Sequence, residues 1–280
     1  MRRAWGQSLR IGVAAKGVSL LLESRWRKAG VTMLAEHVCS ASAEHPYDAL
    51  AQALRALLGE QQVAGWPVRF VLADELVRLW RVEPPAGAAR LADLQASAGL
   101  RFQSLYGETP ASWQISADWD ATAPFFAAAI PRDLLKVLQL LAEETGLHIV
   151  GIEPQLVAAL NRWRRALQPG AWFAQVHDGL LTLAALEPDA ASLRAIRVLP
   201  LPSGPDAGQQ WLSQTLQREA LLLDLPAPQL LQVCGSVPAG WHKPVNQSGQ
   251  IPCAVLDHAQ QASGPAMTAL AQLARSGSAL

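Results

Sequence analysis

The sequence predicts an α/β fold in two halves, because a strand–turn–strand hairpin occurs at two places in the chain. Residues 9–23 read LRIGVAAKGVSLLLE, and residues 171–187 read AWFAQVHDGLLTLAALE. Each segment is an apolar run, a short small or polar break, and a second apolar run, which is typical of two paired strands. Strands and helices are predicted after each hairpin, and Pro169-Gly170 separates the two series. We therefore expect one half of the fold to begin at each hairpin.

The composition allows a large buried core and argues against a nucleic-acid partner. Half of the 280 residues are hydrophobic and 16% are charged, which disfavours disorder over most of the chain. Lys+Arg and Asp+Glu both number 23, so the net charge is zero, whereas nucleic-acid-binding domains are usually basic. The three cysteines, Cys39, Cys234 and Cys253, show no close pairing, which indicates a reducing compartment with buried thiols.

The N-terminal segment is interpreted as the first hairpin rather than as a signal peptide. Arg2 and Arg3 precede an apolar stretch over 11–22, but Lys16 interrupts that stretch and charged residues follow it. No small-residue cleavage site lies at the right distance, and we place the hairpin turn at Lys16-Gly17. No run of about 18 apolar residues occurs elsewhere in the sequence, so we expect no transmembrane helix.

The first half predicts a β-β-β-α-β order followed by a small inserted lobe. Leu50 and Leu54 fall on one face of a predicted helix, and Trp66-Pro67 breaks the chain before a buried strand. The segment 76–124 differs in character, with a strand, a Pro/Gly turn, a short helix that Gly99 would end, and an alternating strand. The predicted strands of this half are 9–13, 18–23, 31–37, 68–72, 76–82, 113–116, 125–130 and 148–152, and the predicted helices are 47–60, 91–98, 131–145 and 154–166.

The second half predicts a similar series with a shorter connection. A Pro/Gly/Ser stretch over 200–208 leaves little room for a second inserted lobe. The chain from residue 260 is rich in Ala, Ser and Gly, which predicts a helix that frays toward the end. The predicted strands of this half are 172–176, 181–186, 192–199 and 229–233, and its main helix is 209–222.

These elements give a division of the chain into three parts. The best boundary is Pro169-Gly170, because both residues favour turns. We expect a first lobe over 1–168, with the inserted lobe at about 76–124, and a shortened second lobe over 169–258. A C-terminal helix and frayed tail should occupy 259–280.

The two hairpins, the series after each and the inserted lobe together resemble the actin-like, RNase H-type ATPase fold. The closest likeness is in residues 125–161, FFAAAIPRDLLKVLQLLAEETGLHIVGIEPQLVAALN. There Ala129-Ile130-Pro131 leads from a strand into a helix, and a strand runs from Gly146-Leu147 to Ile152-Glu153. On these motifs the chain resembles the PilM-type assembly proteins of bacterial type IV pili. The relatives of that group include MshI-like proteins and the cytoplasmic part of type II secretion L proteins, and the resemblance spans about 9–235.

The resemblance implies a nucleotide site that has lost its metal-binding aspartates. The family carries a D-x-G signature in each phosphate hairpin, where this chain has Gly12-Val13-Ala14 and His177-Asp178-Gly179. Glycine offers no oxygen ligand to Mg²⁺, and Asp178 is one residue off, which in a strand turns its side chain to the other face. We therefore expect that the chain binds no cofactor. The alternative is that it still binds ATP with Mg²⁺. The vestigial nucleotide site would comprise Gly12, Ala14, Lys16, Gly17, Asp178, Gly179, Thr182, Gly235 and Ser236.

Several of these residues also have a plain structural interpretation. Lys16-Gly17 fits a simple hairpin turn with a solvated lysine as well as a turn that faces a phosphate. Asp178-Gly179 is a favoured dipeptide of two-residue hairpin turns, which accounts for it without a ligand. Gly235-Ser236 keeps one glycine of the pair that the family places near the adenosine.

A zinc site is a weaker candidate. Cys234, His242, Cys253 and His258 come late in the chain. Their spacing contains no C-x₂₋₄-C or H-x₃₋₅-H unit, so it does not match structural zinc sites. We therefore predict no metal site, and we expect Cys234 to be a buried residue at a strand end.

Four other groupings are explained more simply by structure. His37 and Cys39 share a strand face, but no third group orients them as a base and nucleophile. Asp118-Trp119-Asp120 fits an ordinary loop, so no catalytic residue is predicted. The clusters Arg25-Trp26-Arg27-Lys28 and Arg162-Trp163-Arg164-Arg165 suit either anionic lipid or an acidic partner, or solvated faces with the tryptophan beneath.

The resemblance implies a non-catalytic cytoplasmic scaffold of a type IV pilus or a related secretion machine. Such a protein binds the short N-terminal tail of a bitopic inner-membrane protein of the PilN type. The tail would lie in a groove bordered here by 76–82 and 125–131, using backbone pairing and apolar pockets, with Trp80 as an anchor beside Leu79. The chain would then be peripheral at the inner membrane through this partner and other platform components.

The alternative function is that of a divergent actin-fold ATPase or kinase that still binds and hydrolyses nucleotide. Such an enzyme needs a carboxylate near the phosphates, which Asp178 or Asp74 would have to supply. A module that binds nucleotide without hydrolysis lies between the two. Gly12 discriminates between them, because a residue without a side chain at the first aspartate position removes the chemistry of the family.

Overall fold

The computed structural model of this chain describes residues 6–24, 30–40, 46–88, 90–188, 192–242, 249–257 and 267–278. The chain divides into two compact units, Met1–Pro154 and Gln155–Leu280. This division comes earlier in the chain than the Pro169-Gly170 break, because the helix that follows Pro154 groups with the second unit. The basic cluster at 25–28, His258 and part of the C-terminal segment lie outside the described residues.

Strands and helices follow one another in nearly the order that the sequence predicts. The strands are β1 (Gln7–Ala14), β2 (Gly17–Ser24), β3 (Val31–Val38), β4 (Pro67–Leu72), β5 (Arg78–Val82), β6 (Trp113–Ala117), β7 (Phe125–Pro131), β8 (His148–Pro154), β9 (Ala171–His177), β10 (Leu180–Leu186), β11 (Leu193–Pro200), β12 (Leu230–Gly235) and β13 (Cys253–Val255). The α-helices are α1 (Asp48–Gly59), α2 (Leu91–Tyr106), α3 (Arg132–Thr145), α4 (Gln155–Trp163), α5 (Gln209–Leu222) and α6 (Ala269–Arg275). Within the described ranges, none of the helices combines the length and apolar character needed to cross a membrane.

The first unit contains a five-stranded sheet in the order β3-β2-β1-β4-β8. β1 is antiparallel to β2 and parallel to β4, and β4 is parallel to β8. Because side chains alternate along a strand, Leu9, Ile11 and Val13 of β1 face a core that includes leucines of α1 and α3. The parallel strands end at one edge of the sheet, so the β1–β2 turn lies beside the residues that follow β4.

The second unit repeats this arrangement. Its five-stranded sheet has the order β11-β10-β9-β12-β13, with the same sequence of parallel and antiparallel pairs. Trp172, Leu183 and Leu231 of the sheet form a core with Leu212 and Leu216 of α5. The repeat confirms that each five-stranded sheet begins with a hairpin, β1–β2 and β9–β10, as the sequence predicts. The sequence did not predict β13, because three residues are too few to establish a periodicity.

The inserted lobe of the first unit is a three-stranded antiparallel sheet in the order β5-β7-β6, with α2 against one face. Its core contains Trp80, Val82, Phe102, Trp113 and Phe125. The tilted ring pairs Trp80–Phe102 and Phe102–Trp113 have centroid distances of 5.2 Å and 5.4 Å. The aromatic packing gives this small lobe a core of its own.

The prediction that Gly99 ends the helix of this lobe was wrong, because α2 continues through it to Tyr106. Phe102 lies one turn beyond Ala98 on the same buried face, and both side chains are fully buried. The burial of Phe102 outweighs the cost of about 1 kcal/mol for a glycine inside a helix. The helix ends at Gly107, whose φ of 68° is the left-handed conformation typical of a helix C-terminus.

Candidate functional site

The first hairpin turn is formed by Ala15 and Lys16, one residue earlier than predicted. Gly17 is already the first residue of β2, where it pairs with Ala14. Gly12 is buried within β1, opposite Ser19 of β2 and beside Val71 of β4. The position at which the resemblance implies the first metal-binding aspartate is therefore an interior strand position without a side chain.

The backbone groups of this turn are hydrogen-bonded within the protein. The Ala15 N–H donates to Glu75 Oε1 at 3.1 Å, and the Cys39 N–H donates to the Lys16 carbonyl oxygen at 2.9 Å. Glu75 belongs to a short 3₁₀ turn, Asp74–Leu76, that follows β4. A carboxylate of the chain itself thus accepts a hydrogen bond at the turn where the resemblance implies a phosphate.

The second hairpin turn consists of Asp178 and Gly179. Their φ angles are 40° and 77°, and two positive φ angles are the mark of a type I′ turn, for which Asp-Gly is a preferred sequence. This confirms the interpretation of Asp178-Gly179 as a hairpin turn. The argument that placed Asp178 on the other face of a strand was wrong, because β9 ends at His177 and the aspartate is exposed in the turn. Gly179 also accepts a hydrogen bond from the Leu201 N–H at 2.8 Å. Thr182 is buried in β10, opposite Gln175.

Gly235 and Ser236 have structural partners of their own. Gly235 has a φ of 97°, and a Cβ atom there would lie 2.1 Å from the Val176 carbonyl oxygen. The Gly235 N–H donates to Asp257 Oδ2 at 3.1 Å, and the Ser236 hydroxyl donates to the side-chain oxygen of Gln272 at 2.9 Å. The geometry of β12 requires this glycine whether or not the chain binds a nucleotide.

Metal ligation finds no support in the part of the chain that the structure describes. No group of three or more His, Cys, Asp or Glu side chains lies close enough there to hold an ion. The buried Cys234 thiol donates to Gln175 Oε1 at 2.9 Å. Asp120 accepts hydrogen bonds from the Thr122 hydroxyl and N–H, both at 2.7 Å, and these bonds lower the pKa of Asp120. The aspartate pair around Trp119 thus belongs to a local turn.

We expect the burial of Cys253 to make the protein less stable toward unfolding at alkaline pH. Burial raises the pKa of this thiol to about 12 from a reference of 9.0. Between these values the unfolded chain releases the thiol proton and the folded chain keeps it, so the free energy of unfolding should fall as the pH rises. We expect Cys253→Ala to flatten this slope in urea unfolding curves measured from pH 8.5 to 11. Equal slopes for the variant and the wild type would contradict the prediction.

The second basic cluster surrounds a buried tryptophan. Trp163 is buried, and the Arg162 guanidinium lies 4.9 Å from its ring centroid. Arg162 also donates to the Arg275 carbonyl oxygen at 3.1 Å, whereas Arg164 and Arg165 are exposed. This arrangement fits a solvated face with the tryptophan beneath it.

Trp80 lies in the core of the inserted lobe rather than on a surface. Its side chain is 3% exposed and packs against Phe102 and Tyr106. Its cross-strand neighbour is Ala127 of β7, on the face that α2 covers. The residue type alone did not reveal this, and the structure offers no exposed ring for a partner at Trp80.

The opposite face of the same sheet is half-buried and, apart from Arg81, apolar along β5 and β7. Alternation along β5 and β7 places Leu79, Arg81, Phe126, Ala128 and Ile130 there. We call these five residues the open sheet face. The sequence contains a signal for this face that our prediction did not use. The segment FFAAAI in β7 is apolar at both alternating sets of positions, which is typical of a strand that is buried on both faces.

The open sheet face lies at the junction between the lobe and the five-stranded part of the first unit. Leu79 and Ile130 pack against the core of the five-stranded part, as does Tyr47 at the start of α1. Burial raises the pKa of Tyr47, and the nearby charge of Asp133 raises it further. β5 and β7 lie within the segments predicted to border a groove, 76–82 and 125–131, and they pair with each other; the groove itself stays a prediction.

Arg78 makes several contacts on the face of β5 that carries Trp80, opposite the open sheet face. Its guanidinium is 3.2 Å from Glu108 and lies 5.5 Å and 5.1 Å from the ring centroids of Tyr106 and Trp113. The Tyr106 hydroxyl donates to the Leu79 carbonyl oxygen at 3.0 Å. These contacts hold β5 in place, so the open sheet face is presented by a preorganised strand.

Comparison with solved structures identifies proteins of the same fold. A chain of a PilM-PilN type IV pilus biogenesis complex aligns with a TM-score of 0.60 at 17% identity, over 96% of this chain and 98% of that chain. The cytoplasmic domain of EpsL, an inner membrane component of the type II secretion system of Vibrio cholerae, aligns with a TM-score of 0.59 at 12% identity, over 96% and 94%. A Bacteroides thetaiotaomicron protein of unknown function with an actin-like ATPase fold gives 0.57 at 11% identity, over 84% of each chain.

Sequence comparison adds no assignment. No protein-family model matches the chain, and no curated protein sequence matches it. The structural likenesses nevertheless cover nearly the whole chain for two of the three proteins. Together with the repeated sheet order, they establish that this chain has the actin-like ATPase fold, which it shares with a chain of the PilM-PilN complex and with the cytoplasmic domain of EpsL.

Proposed function

We propose that this chain is a non-catalytic cytoplasmic scaffold of a type IV pilus or secretion machine. It would bind the cytoplasmic tail of a PilN-type inner-membrane protein and so be peripheral to the inner membrane. The observation that carries the proposal is the likeness, over 96% of this chain, to a chain from a PilM-PilN complex. The EpsL domain, which aligns over the same share, comes from an inner membrane component of a secretion system.

The absence of catalysis is supported by the two hairpins. Position 12 is a glycine, and the Asp178 side chain belongs to an exposed type I′ turn. Phosphoryl transfer depends on charges and hydrogen-bond donors positioned around the phosphates. The Ala15 N–H of the first turn already donates to Glu75, so it is not available as a donor to a phosphate. Among the described residues, no acidic cluster able to hold Mg²⁺ replaces the missing aspartates.

We place the tail on the open sheet face. Half-buried apolar side chains at the junction between the lobe and the five-stranded part are suited to the apolar side chains of an extended peptide. Phe126 supplies the aromatic group that Trp80 was expected to supply, because Phe126 is half-buried and faces away from α2. Arg81 lies opposite Phe126 and pairs with Glu83 at 2.9 Å, so it can form the polar rim.

Binding of a labelled tail peptide tests this placement. The probe is a synthetic peptide of the cytoplasmic tail of the PilN-type protein from the same bacterium, followed by fluorescence anisotropy. We expect Phe126→Asp to raise the Kd at least tenfold, because it buries a charge among apolar groups and removes an aromatic contact. Leu221→Asp is the matched control, since Leu221 is an 83% exposed leucine of the second unit.

Two outcomes would contradict the proposal. Equal binding by both variants and the wild type would remove the open sheet face as the site, provided that circular dichroism shows that both variants are folded. ATP hydrolysis, or calorimetric binding of ATP with Mg²⁺ at tens of micromolar protein, would favour the divergent nucleotide-dependent enzyme instead.

A further inference from the structure

Two carboxylates of this chain occupy backbone donors at places where the resemblance puts a nucleotide. Glu75 accepts from the Ala15 N–H of the first hairpin turn, at 3.1 Å. Asp257, which follows β13, accepts from the Gly235 N–H at the end of β12, also at 3.1 Å. One such contact lies in each unit. Successive backbone N–H groups in a turn can form an anion site, and here one N–H at each place already donates to a carboxylate of the chain.

The backbone around Glu75 holds its carboxylate at the turn. The Ala73 N–H donates to the Val13 carbonyl oxygen at 2.8 Å, which extends the pairing of β4 with β1 up to the turn. The 3₁₀ turn Asp74–Leu76 follows directly. The Arg78 guanidinium donates to the Val77 carbonyl oxygen at 3.2 Å and approaches the Glu75 carbonyl oxygen at 3.5 Å. The Glu75 side chain is therefore presented by a fixed segment beside the hairpin.

We propose that Glu75 is a built-in anion that closes the first hairpin turn against phosphate groups. A phosphate near the Ala15 N–H would have to displace a hydrogen-bonded carboxylate and would meet its negative charge at close range. This inference rests on the proposed function and deepens it: the turn is closed by an added carboxylate as well as by the loss of an aspartate. Asp257 also accepts from a backbone N–H, that of Gly235, but the resemblance places Gly235 near an adenosine, so the closure against phosphate is proposed for Glu75 alone.

Removal of the carboxylate should therefore open an anion site. We expect Glu75→Ala to melt about 3 °C higher in about 10 mM sodium phosphate than in sodium chloride of equal ionic strength, since a ligand that binds the folded state stabilises it. Glu75→Gln keeps the shape and loses the charge, so it should show a smaller rise. The wild type should show none.

Glu143→Ala is the matched control, because it removes the same charge from an exposed position in the last turns of α3. It should respond to phosphate as the wild type does. The near-isosteric Glu75→Gln keeps the test decisive if Glu75→Ala does not fold. No phosphate-specific rise in either Glu75 variant would overturn the proposal and leave Glu75 as a structural hydrogen-bond acceptor.

The same variants separate this inference from the proposed function. Glu75 is not part of the open sheet face, so Glu75→Gln should bind the tail peptide with the Kd of the wild type. Phosphate stabilisation without tail binding would mean that the turn is closed by Glu75 but that the scaffold role is wrong. Tail binding without phosphate stabilisation would overturn the closure alone.

Discussion

Gly235→Ala should lower the free energy of unfolding of the second unit by about 4 kcal/mol or more, which is at the extreme end for a single substitution. An alanine Cβ would lie 2.1 Å from the Val176 carbonyl oxygen and 2.5 Å from the Gln175 side-chain nitrogen. The Val176 carbonyl oxygen is backbone and accepts from the Ser236 N–H at 3.1 Å. It therefore cannot move away without breaking the end of β12.

Gly179→Ala is the control for this substitution. Gly179 also has a positive φ, of 77°, but nothing lies within 4 Å of a Cβ built there. It should cost about 1–2 kcal/mol, from backbone strain alone. Urea unfolding followed by circular dichroism measures both variants. If Gly235→Ala cost no more than Gly179→Ala, the close approach of the strands would be absent in solution.

The comparison of Gly235→Ala with Gly179→Ala bears on whether Gly235-Ser236 is evidence of a nucleotide site. Gly235 is the residue that the resemblance assigned to the neighbourhood of an adenosine, and its retention alone would favour a surviving nucleotide site. The structure gives it a requirement that holds with or without a nucleotide, because β12 and β9 approach too closely there for a side chain. A glycine that the strands themselves require is therefore weak support for a ligand.

The elements that the sequence predicted well are those with strong local chemistry. Asp178-Gly179 determines a type I′ turn by its own conformational preferences, and Gly146 ends α3 with a φ of 69°. The order of strands in each sheet then follows from the hairpins and from the parallel strands after them. The resemblance extended this to the actin-like fold, which the structural comparisons bear out.

The features that the sequence did not predict depend on contacts between distant residues. Glu75 reaches Ala15 across 60 positions of the chain, and Asp257 reaches Gly235 across 22. Whether Trp80 or Phe126 is available to a partner depends on which face of the lobe α2 covers. Both residues are aromatic and lie in apolar strands, so their residue types alone could not show which of them α2 covers.

A second large effect is expected from Arg10, a charged residue that is 3% exposed in the middle of the first sheet. Its guanidinium lies 3.5 Å from Glu23 of β2 and 3.4 Å from Glu153 of β8. Arg69 of β4 is also 3.5 Å from Glu153. Burial lowers the pKa of Arg10, while the two carboxylates oppose that shift. One side chain thus bridges strands on both sides of β1.

Arg10→Met should lower the free energy of unfolding of the first unit by about 3 kcal/mol, because two poorly hydrated carboxylates would lose the same cation. The exposed pair Arg55–Glu144 is the control, with an N–O distance of 3.0 Å and about half of each side chain exposed. Arg55→Met should cost less than about 1 kcal/mol.

A triple variant decides whether the charges or the packing of Arg10 dominate. If the loss of the cation from Glu23 and Glu153 causes the destabilisation, adding Glu23→Gln and Glu153→Gln to Arg10→Met should restore most of the stability, because no carboxylate is then left without Arg10. If the triple variant stays as unstable as Arg10→Met, the packing of the arginine stem matters more than its charge.

The result also bears on why β1 is retained without the aspartate, because Arg10 lies two residues before Gly12 in the same strand. A strand that keeps a buried cation but has no aspartate is then maintained for the integrity of the sheet, which a scaffold needs as much as an enzyme does.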